Sequence, residues 1–263
     1  MAEVKHPYLY GLVLLAIILV VGLIGWRFPV NAPNQIIEVW LVNMLLLALF
    51  AVIAGRGITG VWRGVLIDER NKMSLSRLQL ALWTILLLSG FLVAALINIH
   101  RGQSDPLSIA LHPTLWALMG ISTTSLVGSP LIKSTKKDAP TNQEEKDKTF
   151  KLLESQGVDT TKVDAQGQII VNNSPEEASW ADLFKGDEVG NAAFLDLGKI
   201  QMFYFTLIVW FAYAVALASY LKSITGKLTA FPDVDPGMLA LLGISHAGYL
   251  MNKAVPHTQQ QPV

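Results

Sequence analysis

The residue whose type is least at home in its surroundings is His246. It sits in LLGISHAGYLMNKAV, residues 241–255, an apolar stretch where an ionisable side chain is costly and points to function by default. An unperturbed imidazole titrates near neutrality, so His246 is a candidate proton sensor or polar constriction in a pore. The competing reading is a neutral histidine hydrogen-bonded to a neighbouring helix, with Ser122, Thr123 or Thr124 as partners. A second stretch, LMGISTTSLVGSPLI at 118–132, repeats Gly-Ile-Ser without the histidine. Gly120, Ser122, Thr123, Thr124, Gly243 and Ser245 make both stretches rich in small residues. Small residues let helix backbones approach closely and also present hydroxyls to a conduit, so these positions are candidates for lining a pore or for packing.

Two acidic pairs, Asp68-Glu69 and Asp187-Glu188, each precede a basic residue, Arg77 and Lys199. Ion pairing at the foot of a membrane helix accounts for that pattern. Clustered carboxylates are also what a hard divalent cation takes. No metal set is assigned, because His6, His100, His112, His246 and His257 are scattered along the chain. The chain has no cysteine, which excludes disulfides and thiolate catalysis. Ser245 and His246 are sequence neighbours that point to different faces of a helix, and no aspartate pair lies within an apolar stretch. No catalytic residue and no cofactor is assigned, and the expectation is that the protein is not an enzyme.

Membrane helices must position these residues. Of 263 residues, 52% are hydrophobic and 15% charged. A bilayer core of about 30 Å needs about 20 mostly apolar helical residues. Six such blocks are present, at 8–26, 37–54, 78–99, 114–132, 200–221 and 237–255. The first reads as a retained helix, since it lacks a small-residue cleavage site and runs into Trp26-Arg27-Phe28-Pro29. A formal net charge of zero offers no field for nucleic acid, and none is expected as a partner. Lys and Arg concentrate at 56–77 and 133–137, which places those loops and both termini in the cytoplasm of a bacterial inner-membrane protein.

Sliding the sequence along itself sets Gln79 on Gln201, Arg77 on Lys199, Thr84 on Thr206, and Gly120-Ile121-Ser122 on Gly243-Ile244-Ser245. Upstream, Trp62 and Asp68-Glu69 fall on Trp180 and Asp187-Glu188. The fold expected is all-α: six transmembrane helices with an internal parallel duplication of a two-helix unit. Residues 1–55 form an N-terminal two-helix hairpin, 56–133 and 180–255 the two units, 134–179 a cytoplasmic linker or small subdomain, and 256–263 a tail. Within 134–179 the charged run KSTKKDAPTNQEEKDKT reads as a solvated linker. A short helix is predicted over 149–155 and a hairpin over 162–171. Ser174 and Pro175 should start a helix that runs to about Gly186 and turns Trp180, Leu183 and Phe184 toward lipid headgroups.

The stretches SWADLFKGDEVGN, LDLGKIQMFYFTL and LLGISHAGYLMNKAV resemble a group of bacterial integral membrane proteins that carry these motifs, and the resemblance brings no activity with it. From the residues, the leading expectation is a homo-oligomeric channel or channel-like pore in the lipid bilayer, lined by the Gly-Ile-Ser helices. The alternative is a non-conducting anchor or scaffold that docks a cytoplasmic protein assembly through residues 134–190.

Overall fold

The computed structural model describes residues 7–27 and 32–258. Residues 1–6 with His6, residues 28–31 and residues 259–263 lie outside the described residues. The architecture is all-α, with one small β-hairpin. Among the described residues seven α-helices follow in order: α1 (Pro7–Arg27), α2 (Pro33–Thr59), α3 (Leu75–His100), α4 (Pro113–Lys137), α5 (Gln143–Ser155), α6 (Leu197–Ser223) and α7 (Pro236–Ala254). Strands β1 (Val163–Gln166) and β2 (Ile169–Asn172) lie between α5 and α6 and pair antiparallel.

Five helices, α1, α2, α3, α4 and α6, are long and apolar enough to cross a membrane. The sixth apolar block also folds as a helix, α7. It is the shortest of the long helices and carries His246, Asn252 and Lys253 within its 19 residues, which lowers its hydropathy.

Helix α3 is the hub. It packs against α2, α4 and α6, and Trp83, Leu86, Val93 and Ile97 along it are all sealed from solvent. Around them pack Trp40 of α2, Leu115 and Leu118 of α4, Val209, Tyr213 and Leu217 of α6, and Leu242 of α7. Helix α1 differs: it leans on α2 and leaves Leu9, Leu12, Leu19 and Leu23 exposed, a surface suited to lipid. The turn after α2 is pinned where Gly64 meets Gly55, since a Cβ on either would collide with the other segment's backbone.

At one end of the bundle lies a polar cap built from residues 60–74 and 138–196. The predicted hairpin is present and turns at Gly167, whose φ of 58° favours glycine. Two expectations are corrected. The charged run after 133 is mostly helical: α4 continues to Lys137, and α5 starts at Gln143 with Asn142 accepting from the Glu145 N–H at 3.1 Å. Glu144 and Glu145 in its first turn suit the helix dipole.

The helix predicted from Ser174 to Gly186 is instead two single 3-10 turns, Pro175–Glu177 and Trp180–Leu183. Asp182 breaks it. Its carboxylate accepts from the Ser179 N–H at 2.8 Å and, 109 residues away in sequence, from the Met73 N–H at 3.2 Å. That holds the second turn against the segment before α3. Trp180 is exposed as expected, but Leu183 is buried with Met73, Leu75, Met202 and Tyr249.

Candidate functional site

The polar groups form two layers, one in the cap and one within the bundle. In the cap, each acidic pair sits on a tight turn before a long helix. The Ser74 N–H donates to the Leu66 carbonyl at 2.8 Å, closing the turn that carries Asp68, and the Asp196 N–H donates to the Phe184 carbonyl at 2.7 Å, closing the turn that carries Asp187. Strand β2 joins the turns: the Ile170 N–H donates to the Asp187 carbonyl at 3.0 Å, and the Asn172 N–H to the Arg70 carbonyl at 2.9 Å.

Arg70 bridges the two turns. Its Nη1 donates to Asp187 at 2.7 Å, and its Nη2 donates to Asp68 at 2.8 Å. Lys133, from the end of α4, reaches Asp68 at 2.9 Å. Asp187 also takes Lys199 of α6 at 2.8 Å and Lys253 from the end of α7. Thus four buried cations, Arg70, Lys133, Lys199 and Lys253, share two buried aspartates. Beside them, Lys136 donates to Glu188 at 2.5 Å and to the carbonyls of Lys253 and Val255 at 2.6 and 2.8 Å.

Burial alone would raise the carboxyls of Asp68 and Asp187. The adjoining cations outweigh it and hold both well below the usual carboxylate range. Burial likewise disfavours the charged Arg70 guanidinium, and Asp187 with Asp68 more than reverse that.

The second layer is centred on His246. Its imidazole is held on both sides, Nδ1 by Ser125 Oγ at 2.6 Å and Nε2 by the Gln79 side-chain amide. Ser125 lies one residue beyond the three partners the sequence suggested. Ser76 and Tyr249 hydroxyls pair at 3.2 Å below this layer. Four buried polar atoms in this part of the chain, Gln79 Oε1, Trp83 Nε1, Thr206 Oγ1 and Ser245 Oγ, have no protein partner among the described residues.

The structure sorts the sequence candidates. Ser122, Ser245 and His246 are buried, Gly243 is half-buried against Ile121, and Gly120, Thr123 and Thr124 face outward. Thr123 and Thr124 donate to their own helix at Met119 and Gly120, 2.9 and 2.8 Å away. Asp187, Glu188 and Lys199 lie in the buried cluster with Asp68. Glu69 is half-exposed at its edge, 3.7 Å from Lys133. Arg77 reaches neither Asp68 nor Glu69, because Lys133 and Arg70 occupy the place expected for it.

Arg70, Lys133, Lys136 and Lys253 were not picked out as ion-pair partners from the sequence. The available signal was a lysine near the C-terminal end of each Gly-Ile-Ser helix. Those lysines are set one turn apart relative to Gly-Ile-Ser, which hides the match in an alignment.

Compared with protein-family models, with curated proteins and with solved structures, the chain matches none. The function is therefore read from this geometry.

Proposed function

We propose that this protein is a non-conducting anchor of a bacterial inner membrane that presents its polar cap to a cytoplasmic protein partner. The observation that carries this reading is Asp187, whose single buried carboxylate ties together Arg70 of the first turn, Lys199 of α6 and Lys253 of α7. Such a joint fixes the cap rigidly on the bundle, as a platform requires, and leaves its carboxylates no free oxygen for a permeating ion. His246 points the same way, with both ring nitrogens engaged by protein.

In this reading α7 is a sixth span, stabilised by α4 and α6 despite its lower hydropathy. The two units are copies in the same orientation, supported by the matched turn closures at Ser74 and Asp196 and by the lysines that α4 and α7 send back to Asp68 and Asp187. The described ends of the chain, at the start of α1 and the end of α7, lie on the cap side, which this reading puts in the cytoplasm, where residues 134–190 meet the partner. The test has two arms: ion flux through the purified protein in liposomes, and site-specific photo-crosslinking in cells from exposed cap positions such as 148. No flux above empty liposomes at any pH or voltage, together with one adduct of defined mass, is the expected result. Flux, or no adduct from any cap position, overturns it.

A second reading, a homo-oligomeric channel, is favoured by one observation. Gln79, Trp83, Thr206 and Ser245 leave polar atoms unpartnered inside the bundle, and buried polar groups usually complete their bonds with water. The outward Gly120, Thr123 and Thr124 would then meet a second copy of the chain. Flux abolished by Thr206→Val and Ser245→Ala would establish that reading over the first.

A further inference from the structure

One groove has no part in either reading. It lies between α2, α3 and α4 and has a volume of about 630 Å³. Its lining is sorted by polarity. Ser74, Arg77, Asp68, Glu69 and Lys133 stand at the cap end, where Lys133 lies within ion-pairing distance of both acids and Arg70 pairs with Asp68, whereas Leu47, Phe50, Leu88 and Leu126 form the far walls. Leu88 lies about three helical turns, roughly 16 Å, beyond Arg77 along α3.

Arg77 is half-buried, and no carboxylate among the described residues lies within ion-pairing distance of it. The start of α6 shows what is missing. There the Asp196 side chain accepts from the Lys199 N–H at 3.1 Å, and Lys199 pairs with Asp187 at 2.8 Å. At the start of α3, Ser74 makes no side-chain cap bond and Arg77 has no acid. A helix N-terminus carrying a free guanidinium favours an anion, and the fork of Arg suits phosphate oxygens. Lys133 is already committed to Asp68, so Arg77 is the cation available at the mouth.

We propose that this groove holds one glycerophospholipid, its phosphodiester on Arg77 at the start of α3 and its acyl chains along the apolar walls toward Leu88. The apolar depth excludes a free phosphate as the intended occupant, and a peptide would bring backbone amides that those walls cannot satisfy. The proposal rests on the membrane-embedded reading. If the chain fractionates with the soluble proteins, that reading fails before any lipid is added. If it is membrane-bound and retains no phospholipid, this inference alone fails.

The experiment is native mass spectrometry of the delipidated full-length protein titrated with phosphatidylethanolamine in mild detergent. One phospholipid per chain is expected. Arg77→Gln should weaken retention about tenfold or more, the loss of a charge-assisted hydrogen bond, while Arg77→Lys keeps most of it. Ala81→Phe, which fills the wall and leaves the cation in place, should weaken it similarly. Diacylglycerol with the same chains should bind far more weakly, and millimolar inorganic phosphate should not displace the lipid. Unchanged retention in both Arg77→Gln and Ala81→Phe, or equal binding of diacylglycerol, overturns the proposal. The diacylglycerol arm uses the wild-type chain, so it decides the matter even where a variant fails to fold.

Discussion

Replacing Asp187 by Asn keeps the shape of the side chain and removes the one charge that Arg70, Lys199 and Lys253 share. All four residues are buried, so water cannot take over the lost charge. Before the change, four cations face two aspartates; after it, the same four face Asp68 alone. Breaking a buried ion pair by removing one partner costs about 3–5 kcal/mol, because the surviving charge stays desolvated. Since 1 kcal/mol moves the midpoint of a domain this size by about 2–4 °C, the melting midpoint should fall by about 6–20 °C.

Intrinsic tryptophan fluorescence on heating in detergent reads this directly. Trp83 is buried in the core and Trp180 exposed on the cap, so a cap that loosens ahead of the bundle gives two transitions. The second half of the test is rescue. Adding Lys253→Met to Asp187→Asn removes a surplus cation and should recover part of the loss, giving a double variant more stable than the sum of the singles predicts. A fall under about 2 °C, or strict additivity of the two changes, would refute the assignment of Asp187 as the joint between cap and bundle.

Acid should act on the same joint. Asp68 and Asp187 have folded-state pKa values held below their unfolded ones, so their stabilisation is complete above about pH 4 and erodes as pH falls through the depressed folded values. The midpoint difference between the wild type and Asp187→Asn should therefore stay constant from pH 7 to 5 and shrink below pH 4, and a difference already shrinking at pH 6 would contradict that sign. His246→Ala orphans Ser125 and Gln79 and should cost about 1–3 kcal/mol in the same melt, while an unchanged midpoint would mean that the two contacts contribute nothing. At the other end of the bundle, Asn98 donates to the Leu228 and Pro106 carbonyls at 2.8 and 3.1 Å and accepts from the Leu228 N–H at 2.8 Å. Asn98→Leu should therefore cost about 1–3 kcal/mol and speed protease cleavage in the loops at 101–112 and 224–235.

Composition and the spacing of apolar blocks were enough to specify long helices, because lipid forces each backbone segment to satisfy its own hydrogen bonds locally. The hairpin around Gly167 was legible for a similar reason: a turn at positive φ is a local property of the chain. Acidic pairs at Asp68 and Asp187 stood out by repetition. Their partners did not, since a buried carboxylate selects whichever cation the packing delivers. Lys133 and Lys253 arrive from the far ends of α4 and α7, 65 and 66 residues along the chain.

The same logic applies to the lost helix at 174–186, where Asp182 caps its own short turn at Ser179 and also takes the Met73 N–H from a distant segment. It also explains why Gly-Ile-Ser could not be assigned a role by type. Packing turned Ser122 and Ser245 inward and left Gly120, Thr123 and Thr124 on the outer surface. Sequence alone determined which segments form long apolar helices, as that depends on the composition of each segment by itself. Tertiary structure decided which charges meet and which cation, Arg77, stays unpaired beside an apolar groove, since those follow from distances between segments that no local pattern encodes.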